Sequence, residues 1–222
     1  MVDGGQTREY FGALDGLRAL AVLAVLVFHA DLGVATGGFL GVSVFFTLSG
    51  FLITNLLMLE YVRSRRIDLR RFYERRVRRL MPAAQLCIIA VLAMGVLWGA
   101  TQRRDLPGDA ITAVANVANW RFAFASHTYQ DLFVGLPSPL AHFWSLAIEE
   151  QCYLILPVVA AWALRRGGFR PLGVALSGLL TLSITATLFT SNTNLVYNGT
   201  HTRAAELLVG AITAVVVRHR WP

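Results

Sequence analysis

Six apolar stretches, each long enough to cross a lipid bilayer, dominate this sequence. They lie near residues 17–35, 39–62, 82–100, 143–164, 171–189 and 203–217. A helix needs about 20 apolar residues to cross a hydrocarbon core of about 30 Å. Hydrophobic residues make up 55% of the chain, well above the share in soluble domains. The sequence therefore predicts an all-α fold, a polytopic transmembrane helical bundle of about six spans.

A seventh apolar stretch, at residues 110–125, is predicted not to cross. It is short and carries Asn116, Asn119 and Arg121, side chains that are costly in lipid. We expect it to form an additional interfacial helix.

The distribution of arginine predicts the orientation of the spans. Nine arginines lie between residues 63 and 79, and arginine-rich loops stay on the cytoplasmic side. With six spans, both termini are then cytoplasmic. All 20 basic residues are arginine, which is typical of a GC-rich bacterial genome, so we expect a multi-pass protein of a bacterial cell membrane. The net charge of +7 is explained by topology, and no nucleic-acid partner is expected.

Two ionisable residues share one face of the first span. Arg18 and His29 are separated by ten residues, none of them polar, which places them about 16 Å apart along a helix. Ionisable groups inside a span are expensive and indicate function by default. A neutral histidine can take a proton from a hydroxyl near pH 7.

Two adjacent carboxylates lie in the fourth span. The rise per residue places Glu149 and Glu150 at a depth similar to that of His29, and neighbouring helical residues point about 100° apart. One glutamate is therefore expected to face His29 and fix its tautomer, while the other meets an arginine or the pocket wall. The alternative is a buried ion pair with Arg203 or Arg18.

Small residues form a stripe along the second span, and this stripe predicts close approach of another helix. Its members are Ser43, Thr47, Gly50 and Thr54. Ser49 lies one position off the stripe. It has no neighbouring base and no G-x-S-x-G elbow, so packing or a place in the substrate pocket is favoured over nucleophilic attack.

Arg203 and Glu206, in the last span, have the spacing of a local i,i+3 ion pair; a pocket role for Arg203 is the alternative. His127, His142 and His201 are expected to be solvent-facing or on the acceptor side. They contain no i,i+4 pair of ligands, so no metal site is predicted.

Five segments along the chain, in one order, resemble the acyltransferase-3 family of integral membrane proteins. They are Arg18-x10-His29, Gly41-x4-Phe46-x2-Ser49-Gly50, Arg76-x2-Arg79, FWSLAIEEQCYL at 143–154, and THTRAAELLVGA at 200–211 with Tyr197 upstream. Members of this family have about ten spans, so residues 1–222 look like the N-terminal part of such a domain.

The resemblance implies a membrane-bound O-acyltransferase. Such an enzyme moves an acyl group, commonly acetyl, from cytoplasmic acyl-CoA to a hydroxyl of a cell-surface glycan, a lipid-linked sugar or a small molecule. Acyl-CoA is then a donor substrate, and no permanently bound cofactor is expected.

By the resemblance, the essential histidine is His29 and its paired arginine is Arg18. The resemblance also favours Arg76 and Arg79 as donor-site arginines, since guanidinium groups bind phosphate oxygens well. The alternative is that these arginines only set topology and contact the headgroups of membrane lipids. Two other functions remain open: a proton-coupled transporter that uses His29 and the two glutamates, and an inactive truncated homologue.

Overall fold

The computed structural model describes residues 12–30, 37–97, 106–124 and 138–220, with the backbone alone at 219 and 220. This part of the chain is almost entirely helical. Its helices are α1 Gly12–His29, α2 Leu40–Ser64, α3 Leu69–Leu97, α4 Leu106–Val114, α5 Ala118–Ala123, α6 Phe143–Gly167, α7 Phe169–Phe189, α8 Thr193–Asn198 and α9 Thr200–Arg220.

Six of these segments are long and apolar enough to cross a bilayer: α1, α2, α3, α6, α7, and α8 with α9 taken together. The predicted all-α bundle of about six spans is therefore confirmed. Because an apolar helix satisfies its own backbone hydrogen bonds, it is one of the few structures that lipid tolerates.

The helix bounds depart most from the predicted spans at two places. α1 ends at His29, whereas the span was expected to continue to residue 35; residues 31–36 lie outside the described part. α3 begins at Leu69 and contains Pro82, so the second half of the arginine-rich segment is helix and not loop. Arginine, leucine and glutamate favour helix, and Arg70 pairs with Glu74 at i,i+4.

The seventh apolar stretch forms two short helices, α4 and α5, and not one interfacial helix. Asn116 lies between them with φ 55°, a left-handed conformation that asparagine tolerates better than most residues. Neither helix is long enough to cross a bilayer.

The closest helix packing joins α2 to α9. A Cβ added at Gly50 would overlap the carbonyl oxygen of Leu207, and one at Gly210 would overlap that of Thr47. The small residues of α2 thus allow backbone-to-backbone contact, as the stripe predicts. α1 packs chiefly on α2 and leaves most of its surface exposed.

The two ends of the bundle differ in chemistry. At the histidine end, α1 ends with His29 and α6 begins after His142. At the arginine end, α2 stops before Arg65 and α6 stops after Arg165 and Arg166.

Candidate active site

A cavity of about 600 Å³ opens between α1, α2, α5, α6 and α8. This volume is in the range of small-molecule sites. The polar residues that line it include His29, His142, Glu149 and Asn198, and its aromatic wall includes Trp144.

His29 ends α1, and its own helix fixes its tautomer. The Nδ1 atom lies 2.8 Å from the carbonyl oxygen of Val25. Since a carbonyl only accepts hydrogen bonds, Nδ1 carries the proton and donates it, which leaves the lone pair on Nε2. A backbone carbonyl therefore does what a glutamate was expected to do.

His142 lies beside His29 at the histidine end. The centroids of the two imidazole rings are 4.8 Å apart. Burial, and then the charge of His29, lower the pKa of His142, because two neighbouring imidazolium ions repel each other. Glu149 follows His142 by seven residues, or about 10 Å along the helix. His29 is thus level with the start of α6, and not with the glutamates as the sequence suggested.

Glu149 lies deeper in the same cavity. Its Oε1 accepts a hydrogen bond of 2.7 Å from the hydroxyl of Ser49 on α2. The guanidinium charges of Arg76 and Arg18 act on this carboxylate. The Nε of Arg18 is buried and has no hydrogen-bond partner in the described part of the chain. Glu149 therefore lies where the cavity meets a group of cationic side chains.

Glu150 has a different environment from its neighbour. Its Oε1 accepts a hydrogen bond of 3.3 Å from Nε of Arg76, and the Arg76 guanidinium also stacks on the ring of Tyr153, 3.3 Å from its centroid. The adjacent glutamates thus diverge as the helical geometry predicts, and the arginine that Glu150 meets is neither Arg203 nor Arg18. Arg76 is half-buried and bound to internal partners, whereas Arg79 is exposed.

Arg203 forms the predicted i,i+3 ion pair, with NH1 2.9 Å from Oε1 of Glu206. Its guanidinium also lies 5.4–5.6 Å from the ring centroids of Phe46, Trp144 and Tyr197, and these three residues line the cavity.

Ser49 and Arg203 do not themselves line the cavity in the described part of the chain. Their place in the substrate pocket therefore stays a prediction. Each of them contacts residues that do line it: Ser49 donates to Glu149, and Arg203 lies beside the three aromatic rings.

Asn198 is a lining residue that sequence analysis missed. Its side chain is 1% exposed, and in the described part of the chain its Oδ1 has no hydrogen-bond partner. The side chain of Asn119 donates to the backbone oxygen of Asn198 at 3.0 Å and in turn accepts from Gln151 at 2.9 Å. The sequence does carry a signal for this group. Asn119, Gln151 and Asn198 are amide side chains in apolar segments, where unpaired polar groups are costly.

His201 does not line the cavity. His201 is exposed and stacks on Trp120, with ring centroids 5.7 Å apart. His127 lies outside the described residues.

The fold and the cavity together define a multi-pass helical membrane protein with an internal polar site. Residues 11–220 match the acyltransferase domain family, type 3. The chain belongs to this family of acyltransferases, which bears out the resemblance of its five segments and leaves a transporter without support.

Curated bacterial relatives align along nearly the whole chain. Peptidoglycan O-acetyltransferase OatA of Listeria monocytogenes is 42% identical over 97% of this chain and 35% of its own length. Putative peptidoglycan O-acetyltransferase YrhL of Bacillus subtilis is 40% identical over 98% and 34%, and O-acetyltransferase OatA of Staphylococcus aureus is 39% identical over 96% and 35%. The chain thus spans about a third of the length of these relatives. No solved structure matches it.

Proposed function

We propose that this chain carries the membrane-embedded step of an O-acyl transfer, in which an acyl group, commonly acetyl, passes from a thioester to a hydroxyl. The proposal rests on the position and tautomer of His29. This histidine lines a cavity of about 600 Å³, and the Val25 carbonyl holds its proton on Nδ1. A preset tautomer directs the basic Nε2 to the reaction.

The reaction needs a single base and balances without any further reactant. Nε2 of His29 takes the proton of the acceptor hydroxyl, and the oxygen attacks the thioester carbonyl carbon. The C–S bond breaks as the new C–O ester bond forms, and the thiolate takes up the proton. General base catalysis of this kind contributes about 10²–10⁴-fold in rate.

The two glutamates receive different parts in this mechanism. Glu149 lines the cavity and accepts a hydrogen bond from Ser49, so we assign it a catalytic role in direct contact with the bound substrates. Glu150 binds Arg76 away from the cavity lining, so we assign it a positioning part.

The donor is proposed to be acyl-CoA, entering from the arginine end. Arg18 and Arg79 are the arginines best placed to meet its phosphates, because Arg76 already binds Glu150 and Tyr153. This direction agrees with the positive-inside rule, which places the arginine end and both termini on the cytoplasmic side of a bacterial cell membrane.

The acceptor is proposed to be a glycan hydroxyl, reached from the histidine end. Two of the curated relatives are named as peptidoglycan O-acetyltransferases, which makes a peptidoglycan sugar the acceptor to test first. The aromatic wall at Phe46, Trp144 and Tyr197 supports this choice, since such rings pack on the apolar faces of a bound ligand.

The test is transfer of radiolabelled acetyl from acetyl-CoA to soluble peptidoglycan fragments by the protein in lipid vesicles. His29→Ala is expected to reduce ester formation at least about 100-fold, the lower range of general base catalysis. His201→Ala is the matched control, because this exposed histidine lies outside the cavity lining. Equal activity of His29→Ala and unmodified protein would reject the assigned base. Transfer from another thioester, but not from acetyl-CoA, would retain acyl transfer and reject the proposed donor.

A further inference from the structure

A second cavity, of about 420 Å³, lies at the arginine end, far from His29. It is bounded by the last turn of α2, the last turn of α6 and the first residues of α7. Its polar lining consists of Tyr61, Arg65, Arg165 and Arg166 together with the backbone at Gly167 and Gly168.

Among the described residues, no carboxylate compensates the charge of this second cavity. Three guanidinium groups line it, and no acidic residue of the described chain does. None of the three arginines forms an ion pair in the described part of the chain. Arg166 instead stacks on Trp162, with its guanidinium 5.0 Å from the ring centroid. Uncommitted guanidinium forks facing one space are suited to a phosphate group.

The depth of the second cavity corresponds to the headgroup region of a bilayer. α6 has 25 residues and is therefore about 37 Å long, more than the hydrocarbon core of about 30 Å. Because charged side chains are costly in hydrocarbon, we assign the extra length to the last turn, at Arg165 and Arg166, at the arginine end. The aromatic ring of Trp162 lies one turn deeper, where such rings favour the lipid interface.

Apolar side chains at the second cavity, and one and two turns from Arg166 along α6, supply a surface for acyl chains. Val62, Val158 and Trp162 are 46%, 49% and 52% exposed, and Val62 also lines the cavity. A soluble phosphate compound would use the cationic lining alone. A membrane phospholipid satisfies both the cationic lining and the exposed apolar surface.

We propose that the second cavity is a specific site for the phosphate headgroup of an anionic phospholipid, bound by Arg65, Arg165 and Arg166. The lipid phosphate neutralises the guanidinium charges at the junction of α2, α6 and α7. This site is separate from the cavity that contains His29, and its existence does not rest on the proposed acyl transfer.

The experiment measures lipid retained by the whole protein. The protein is released from vesicles of equal parts phosphatidylglycerol and phosphatidylcholine, and bound lipid is counted by native mass spectrometry. The unmodified protein is expected to retain phosphatidylglycerol in preference to phosphatidylcholine. The double variant Arg65→Gln, Arg166→Gln is expected to lose at least about tenfold in phosphatidylglycerol affinity, because it removes two charge-assisted contacts.

The matched control is the double variant Arg71→Gln, Arg78→Gln. Both of these arginines are exposed and lie outside the second cavity. Because two arginines are again replaced, the loss of net charge is the same as in the first double variant. This control is expected to retain phosphatidylglycerol as the unmodified protein does. An equal loss of phosphatidylglycerol affinity in the two double variants would show that general surface charge explains the binding. That result would reject the specific site.

Two further measurements test the lipid site. If the glutamine variant fails to fold, as judged by thermal unfolding in detergent, Arg166→Lys replaces it; this variant keeps the charge but loses the planar fork, and a reduced affinity is expected. Titration with CoA tests the other phosphate source. Displacement of phosphatidylglycerol by CoA, with weaker CoA binding in the double variant, would overturn the lipid assignment.

Discussion

At the residue scale, the adjacent carboxylates of α6 show how neighbouring positions on one helix acquire separate environments. Glu149 accepts a hydrogen bond from a serine 100 positions away, whereas Glu150 binds an arginine 74 positions away. Their divergence follows from helical geometry and was predictable. Their partners were not, because each partner depends on how α2 and α3 dock against α6.

The buried amide of Asn198 is expected to cost stability and to serve binding. An unpaired buried carbonyl costs about 1–3 kcal/mol, and Oδ1 of Asn198 is such a group in the described part of the chain. Asn198→Leu is therefore expected to raise the melting temperature of the protein in detergent. The same change is expected to raise the KM for the glycan acceptor, because the lining loses its hydrogen-bond acceptor.

Both readouts for Asn198→Leu come from the same preparation. Asn194→Leu is the matched control: Asn194 lies in the same short helix and is buried, but it does not line the cavity, so the acceptor KM is expected to stay unchanged. A melting temperature that falls in Asn198→Leu, with an unchanged acceptor KM, would show that Asn198 only supports packing.

At the element scale, the backbone contact between α2 and α9 is expected to be intolerant of a single methyl group. In Gly50→Ala the new Cβ meets the carbonyl oxygen of Leu207, so the two helices must separate. Overpacking of this kind costs about 1–3 kcal/mol. The expected result is a lower melting temperature in detergent.

Gly178→Ala is the control for this prediction. Gly178 lies within α7, and a Cβ there has no atom within 4 Å. Since alanine favours helix over glycine by about 1 kcal/mol, this variant is expected to be as stable as the unmodified protein or more so. Equal destabilisation in both variants would contradict the close contact at Gly50.

Local pattern predicted most of the helices and the contacts between residues near in sequence. The six apolar stretches predicted the six spans, and i,i+3 spacing predicted the pair of Arg203 and Glu206. The start of α3 was missed, because its arginines were interpreted as a topology signal although arginine also favours helix. The break at Asn116 was missed because one left-handed residue leaves little trace in hydropathy.

At the scale of the whole molecule, the proposed orientation makes a prediction about chemical labelling. Ser64 at the arginine end and Ser191 at the histidine end are both exposed. With Cys87 and Cys152 replaced by alanine, Ser191→Cys is expected to react with a membrane-impermeant maleimide in intact cells. Ser64→Cys is expected to react only after the membrane is opened. The reverse pattern would place the arginine end outside and overturn the proposed path of the donor.

The assembly of the cavity could be predicted only in part. His29 and Glu149 were identified as site residues and do line one cavity, because ionisable side chains in apolar helices turn away from lipid. The position of His29 beside His142 was missed, since it depends on where α1 ends and on how that end meets the start of α6.

The contact between α2 and α9 has a mechanical consequence. The two backbones are in contact at Gly50 and at Gly210. Sliding or rotation of one helix against the other would bring a carbonyl group of one into steric clash with the backbone of the other. The pair therefore forms a close-packed frame, whereas α1 packs chiefly on α2 alone. Since His29 is the last residue of α1, any displacement of α1 against this frame displaces the imidazole as well. For the proposed base, the reach of Nε2 into the cavity is therefore set by how closely α1 rests on α2.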